Sequence, residues 1–236
     1  MMLPSWVMRC LQGNRPAQRA PRAPTMLFLL PFVPFRSKSL PRKYGCVMSE
    51  MAKNWTIHGL WPSDVQECCP YWRLFPSDLT SLVPELNRHW PTFTNLSNFQ
   101  FWEKEWGKHG TCGGCIETLN SPKKFFGAAL FLRTKYNIDR AFEKAEIIPS
   151  CRQSYQLRTF VGALESLLGR QFQLQCVTDR QGRQLLVQIQ VSLFSNFSTG
   201  CVAEPPAGIS PYHPCRPQSG ILYVSPNQKD PRHPCP

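Results

Sequence analysis

Several things are missing from this 236-residue sequence. No stretch approaches the roughly 18–20 uninterrupted apolar residues that a membrane helix needs. Acidic residues are scarce, with 15 Asp and Glu against 27 Lys and Arg, for a net charge of +12. That imbalance suits a polyanionic partner without saying which one. No internal repeat is visible, so a repeat array is excluded. Cys112-Gly113-Gly114-Cys115 has no second CxxC or CxxH to complete a zinc site. A secretory leader is not visible either. The apolar cluster at 26–35 starts late, contains Pro31 and Pro34, and lacks a small-residue cleavage site. What is present is enough for a core: 42% of residues are hydrophobic and only 18% charged, which excludes wholesale disorder. Eleven cysteines point to an oxidising compartment.

The charge is uneven. Residues 1–53 hold nine basic residues and one acid, leaving 18 basic and 14 acidic residues for the rest of the chain. The same segment has seven of the 23 prolines and no sustained helical or strand period. With Pro31 and Pro34 inside it, the 26–35 cluster makes a poor central strand. Residues 1–53 therefore read as a disordered extension, and 54–236 as the folded domain. Within that domain, helices are expected over 77–90, 122–136, 139–146 and 154–168. Ser121-Pro122 supplies an N-cap and Gly169 a stop. Strands are expected over 172–178 and 185–193, the second alternating Val187, Ile189, Val191 and Leu193 with Gln188, Gln190 and Ser192. A further apolar run occupies 221–224. Helices and strands mix without strict alternation, which indicates an α+β fold.

Two segments carry histidine among tryptophans. In Trp55-Thr56-Ile57-His58-Gly59-Leu60-Trp61-Pro62, a short strand over 55–58 would place Thr56 and His58 on one face, ended by Gly59 and Pro62. In Phe101-Trp102-Glu103-Lys104-Glu105-Trp106-Gly107-Lys108-His109-Gly110-Thr111-Cys112, helical spacing puts Trp102, Glu105, Trp106 and His109 on one face, flanked by Lys108. Gly110 would stop that helix and leave His109 at its C-terminal end, where the dipole favours an imidazolium. Either segment alone is more ordinary: a structural histidine, or a solvated pair over a core stripe. Together they supply what cleavage of an RNA phosphodiester needs. One imidazole takes the ribose 2′-hydroxyl proton, and a second protonates the leaving 5′-oxygen. A cation and a further donor stabilise the phosphorane-like transition state.

WTIHGLWP and FWEKEWGKHGTC closely resemble the two signature segments of the ribonuclease T2 family, and the likeness extends over about 54–224. The resemblance implies an α+β domain with a mostly antiparallel central sheet packed against helices. It also implies a monomeric endoribonuclease that cleaves single-stranded RNA through a 2′,3′-cyclic phosphate, with neither metal nor cofactor. By the same resemblance His58 is the general acid and His109 the general base. Glu105 and Lys108 stabilise the transition-state phosphate, and Trp61 positions the nucleotide by stacking. Family members are secreted or lysosomal.

Two departures stand out. Lys104 occupies a position where many members carry a phosphate-binding histidine, so altered affinity or pH dependence is expected. The usual first core strand, with its QHWP-like sequence, is not visible before Asn54, and its loss would open backbone groups at the centre of a sheet. The resemblance also implies disulfides from Cys68 or Cys69 to Cys112, with Cys68 favoured, and from Cys176 to Cys215. Cys201 lacks its usual partner, because Ser192 stands there. Sequons begin at Asn54, Asn95 and Asn196; the latter two suit glycosylation. Two rival readings remain: a metal site built from His58, His109 and Glu105, and a non-catalytic RNA-binding or signalling protein that retains the fold.

Overall fold

The computed structural model describes residues 22–29 (backbone only), 54–62, 63 (backbone only), 65–200, 212–225 and 235. Its centre is a seven-stranded sheet. The main path runs β2 (Thr56–Ser63), β1 (Arg22–Leu29), β5 (Gln184–Ser192), β4 (Phe172–Thr178), β6 (His213–Pro214). β7 (Ile221–Leu222) adds parallel to β5 and pairs with β3 (Ser154–Tyr155). Every other pairing on the path is antiparallel. Helices α1 (Pro76–Leu79), α2 (Val83–His89), α3 (Asn98–Lys108), α4 (Pro122–Lys135), α5 (Ile138–Lys144) and α6 (Leu157–Leu168) complete the α+β fold. Among the described residues, no helix is long and apolar enough to cross a membrane.

The structure differs from the sequence expectation most at β1. A strand does precede Asn54, and it lies between β2 and β5, where the core strand had been expected to be missing. The prolines explain why it was overlooked. Only the stretch from Thr25 to Leu29 pairs on both sides. Pro24 precedes that stretch and Pro31 follows it, so neither removes a donor where two neighbours need one. The expected disorder of residues 1–53 otherwise falls outside the described residues.

β2 is also longer than expected, running through Gly59 to Ser63. As the edge strand of the path it can tolerate Pro62. The register steps from Leu27↔Gly59 to Phe28↔Ile57, so His58 is the extra residue of a β-bulge. The expected 77–90 helix is broken into α1 and α2, since Pro84 in the first turn of α2 has no N–H to continue a helix from above. The start expected at 154 is instead β3, and α6 begins at Leu157. α5 ends at Lys144, before Glu146 takes a positive φ of 54°.

Aromatic rings fill the space between sheet and helices. Trp90, Trp106, Phe125 and Phe126 are completely buried and touch one another, with Trp90 and Phe126 centroids 5.1 Å apart. The entry to β2 is fixed polarly. Trp55 N–H donates to Asp139 at 3.0 Å, its carbonyl accepts from Arg133 Nε at 2.9 Å, and Arg133 pairs with Asp139. All nine residues of β5 are buried, on both faces. Gln188 and Gln190, the polar residues of the alternation, are only 3% and 7% exposed.

Candidate active site

The site forms where the bulged strand β2 meets the C-terminal end of α3. A capping box starts α3: Ser97 Oγ accepts from Gln100 N–H, and Gln100 Oε1 accepts from Ser97 N–H. Two indoles then hold the helix. Trp102 Nε1 donates to the Trp90 carbonyl and Trp106 Nε1 to the Trp72 carbonyl, both at 2.8 Å. Trp90 Nε1 donates in turn to the His58 carbonyl at 3.1 Å. Thus Trp90, at the end of α2, connects the helix carrying Glu105 and His109 to the strand residue His58. Nothing in the two signature segments singled Trp90 out.

Beyond α3 the chain turns sharply through a 3-10 helix, Gly110–Gly113, with His109 as the C-cap residue. Gly110 has a steric reason as well as a stopping role, since a Cβ there would fall 2.2 Å from the Trp106 ring. Cys112 in this turn is bonded to Cys68, in the loop after β2. Glu67 N–H donates to the Lys108 carbonyl at 2.7 Å alongside it. Closing a loop of 44 residues contributes about 4 kcal/mol on the chain-entropy account.

The structure brings together His58, Trp61, Glu105 and His109. Trp61 Nε1 donates to Glu105 Oε2 at 3.1 Å. The Trp61 ring stacks on His109 at 4.8 Å and 18°, and meets the His58 ring edge-on at 5.2 Å. One tryptophan therefore touches both histidines and the carboxylate. Gly59 makes room for it. A Cβ at Gly59 would lie 2.1 Å from Trp61 Nε1 and 2.8 Å from Glu105 Oε2. Sequence reading gave Gly59 the role of ending the strand; its structural role is clearance.

Burial dominates the electrostatics. It pushes Glu105 up to about 7, against the lowering effects of the Trp61 N–H and of Lys108. It pushes His109 down to about 3, helped by the positive charge of Lys108 and by His58. This overrides the helix-dipole preference for an imidazolium. His109 Nδ1 is buried without a hydrogen-bond partner, so no acceptor among the described residues stabilises a proton on that nitrogen. His58 is also lowered, first by burial and then by Lys108, while its hydrogen bond to Gln188 works the other way. That bond runs from Nδ1 to Gln188 Oε1 at 2.7 Å. Gln188 was missed because polar residues alternating along a strand normally mark its solvent face.

Lys108 and Lys104 are exposed on α3. Lys108 is the cation whose field reaches His58, Glu105 and His109. Elsewhere, Cys176 is bonded to Cys215, joining β4 to the start of the C-terminal segment. Cys151 is bonded to Cys235, a pairing that spacing alone could not have assigned. Cys69 is also disulfide-bonded, and Cys115 is the free, exposed cysteine among the described residues. Cys201 lies outside them. Asn95 and Asn196 are exposed, and so is Asn54. The Asn196 Oδ1 accepts from the N–H and hydroxyl of Ser198. Among the described residues, no three His, Cys, Asp or Glu side chains are grouped so that they could hold a metal ion.

A strand histidine, a helix-terminal histidine and a buried carboxylate thus gather around one tryptophan on an α+β fold. The family model described as "Ribonuclease T2 family" matches residues 35–205, and the chain belongs to that family. It is 37% identical over 150 residues to ribonuclease T2 of Danio rerio, covering 62% of each chain. Ribonuclease Oy of Magallana gigas is 34% identical over 162 residues, 65% of this chain and 76% of that one. The alignment thus spans about three-fifths of the zebrafish relative. In three dimensions the crystal structure of human RNase T2 superposes with a TM-score of 0.71 at 26% identity, over 87% of this chain and all of that one. RNase NT in complex with 5′-AMP gives 0.70 at 25% identity, over 86% and 98%.

Proposed function

We propose that this protein is an endoribonuclease that cleaves single-stranded RNA by transphosphorylation, without a metal ion. The observation that carries the proposal is the contact of Trp61 with His58, Glu105 and His109 together. Neutral His109 takes the proton of the ribose 2′-hydroxyl. The 2′-oxygen attacks phosphorus, the bond from phosphorus to the 5′-oxygen breaks, and protonated His58 delivers a proton to that oxygen. The products are a 2′,3′-cyclic phosphate end and a free 5′-hydroxyl. Lys108 and Glu105 stabilise the charge that builds on the phosphoryl oxygens, and Lys104 binds phosphate from the surface of α3. The same two imidazoles, with roles exchanged, suit hydrolysis of the cyclic phosphate by water.

The membership of a ribonuclease family supports this reading, as does a structural neighbour that holds 5′-AMP. Disulfides at Cys68–Cys112, Cys151–Cys235 and Cys176–Cys215 support a secreted or lysosomal location, with glycans at Asn95 and Asn196. Purified protein incubated with a single-stranded oligoribonucleotide in EDTA tests the proposal. Fragments ending in cyclic phosphate are expected, and they disappear with His58→Ala and with His109→Ala. Activity abolished by EDTA would instead favour the metal reading. Binding of RNA without any cleavage would favour the non-catalytic one.

A further inference from the structure

The face of the sheet that carries His58 is lined by a row of glutamines with a single direction of donation. Gln188 on β5 lies opposite Gln175 on β4, and Gln190 opposite Gln173. Gln188 Nε2 donates to Gln175 Oε1 at 2.6 Å. Gln175 Nε2 donates onward to Gln190 Oε1 at 3.1 Å and to Gln173 Oε1 at 3.3 Å. Each amide is oriented by the next, because flipping Gln188 alone would set its carbonyl oxygen against Gln175 Oε1, two acceptors with no hydrogen between them. The head of the row is the carbonyl oxygen of Gln188, 2.7 Å from His58 Nδ1. A carbonyl oxygen only accepts, so Nδ1 must carry a hydrogen.

We propose that Gln188, held in turn by Gln175, is a positioning residue that fixes the tautomer and orientation of the His58 ring. With Nδ1–H committed to Gln188, Nε2 is the nitrogen that gains and loses the catalytic proton. When Nε2 has given its proton to the leaving oxygen, the ring is left neutral with its hydrogen on Nδ1. No tautomeric exchange is then needed before Nε2 accepts a proton from water in the hydrolytic step.

Two features single the row out from an ordinary polar strand face. Three of its four members are buried, with Gln188 at 3%, Gln190 at 7% and Gln175 at 8% exposure, and Gln173 at the end of the row is half-buried. Burying amides is costly unless they are paired, and a paired network of this kind is rigid. The register is also interrupted at both ends of the link to histidine. His58 is the extra residue of the β2 bulge. On β5 the step from Gln175↔Gln188 to Cys176↔Leu186 makes Val187 extra. Bulges next to active sites re-aim side chains, and here they let His58 and Gln188 meet across β1. The other groups facing His58 come from α3 and β2: Lys108 and His109, with Glu105 linked through Trp61.

The inference rests on the proposed acid–base role of His58, and the test separates the two. Wild type, Gln188→Leu, Gln188→Glu and Gln175→Leu are compared in cleavage of a dinucleoside monophosphate across pH, beside His58→Ala. The histidine tautomers are read by 15N NMR. Gln188→Leu is expected to lose about tenfold or more in kcat with KM within about twofold, and to show mixed His58 tautomers. Gln188→Glu still accepts from Nδ1, so it restores kcat and moves the alkaline limb of the profile to higher pH. Gln175→Leu gives an intermediate loss. A folded Gln188→Leu protein with wild-type kcat, pH profile and tautomer overturns the inference while His58→Ala remains inactive. If Gln188→Leu does not fold, Gln188→Glu decides, and an unmoved alkaline limb overturns the inference. If His58→Ala is fully active, the proposed reaction has failed, and with it the catalytic purpose of the row; the NMR tautomer still reports whether Gln188 orients the ring.

Discussion

Trp61 Nε1 donates to Glu105 Oε2 at 3.1 Å while the same indole lies flat on His109. One side chain thus orients a carboxylate and covers an imidazole. Replacing it by phenylalanine keeps the stack and removes the donor. Trp61→Phe should lower kcat by up to about tenfold, the upper end of the roughly 0.5–1.5 kcal/mol that one hydrogen bond contributes. Trp61→Ala should cost more and should loosen His109 as well. A fluorogenic oligoribonucleotide assay compares them; equal rates for wild type and Trp61→Phe would remove the N–H from the mechanism.

Gly59 is occupied space in all but name. A methyl group there would sit 2.1 Å from Trp61 Nε1 and 2.8 Å from Glu105 Oε2, so the Trp61–Glu105 bond must break or the strand must shift. Gly59→Ala should destabilise by about 1–3 kcal/mol, as overpacking does. Activity should fall further than stability explains, because the displaced groups, Trp61 and Glu105, belong to the proposed site. Thermal unfolding and kcat measured on the same preparation separate the two effects.

Much of this site was legible in the sequence and some of it was not. His58, Glu105 and His109 could be read because the chemistry needs two imidazoles and a carboxylate, and helical spacing puts the last two on one face. The direction of the His109 shift was misread. The dipole at a helix end is a surface effect, and this histidine is 7% exposed. β1 was invisible because its doubly paired stretch from Thr25 to Leu29 is short and proline-flanked, so no period could develop. Gln188 was hidden because alternation normally reports which face is wet, and β5 has no wet face.

The histidine shifts fix the sense of the pH dependence. His109 must be neutral to act as base, which holds above about 3. His58 must be protonated to act as acid, and burial moves its transition below the ordinary 6.5. Activity in kcat/KM should therefore rise through about 3 and fall before pH 6.5, giving an acidic optimum. Lys108→Ala should shift both limbs upward, because its charge lowers both histidines. A profile centred above pH 7 would contradict the assignment of acid and base.

Cys68–Cys112 anchors the turn that follows His109. Cys68→Ser with Cys112→Ser should lower stability by about 4 kcal/mol. Activity at low temperature should fall as well, since the covalent tie between the turn after His109 and the loop after β2 is lost, leaving the Glu67–Lys108 backbone bond and the Thr111 hydroxyl contacts beside it. The matching change at Cys151 and Cys235 should cost stability alone. Urea titration and kcat on the two double variants make the comparison.

Glu105 links stability to function with opposite signs. Its carboxyl has an ordinary value of 4.5 when the chain is unfolded and is raised to about 7 when folded. Below 4.5 both states hold the proton and the group is neutral to stability. Between 4.5 and 7 the unfolded chain loses its proton while the folded one keeps it, so stability falls as pH rises. Above 7 the full cost of a buried carboxylate stands, about 3 kcal/mol at 1.36 kcal/mol per unit. Glu105→Gln retains an acceptor for the Trp61 N–H and carries no charge. It should match wild type in stability near pH 4 and exceed it increasingly toward pH 7.5, while losing activity throughout. Melting temperatures of the two proteins at pH 4.0, 5.5 and 7.5 test this, and a constant difference would mean that the buried carboxylate is not what titrates.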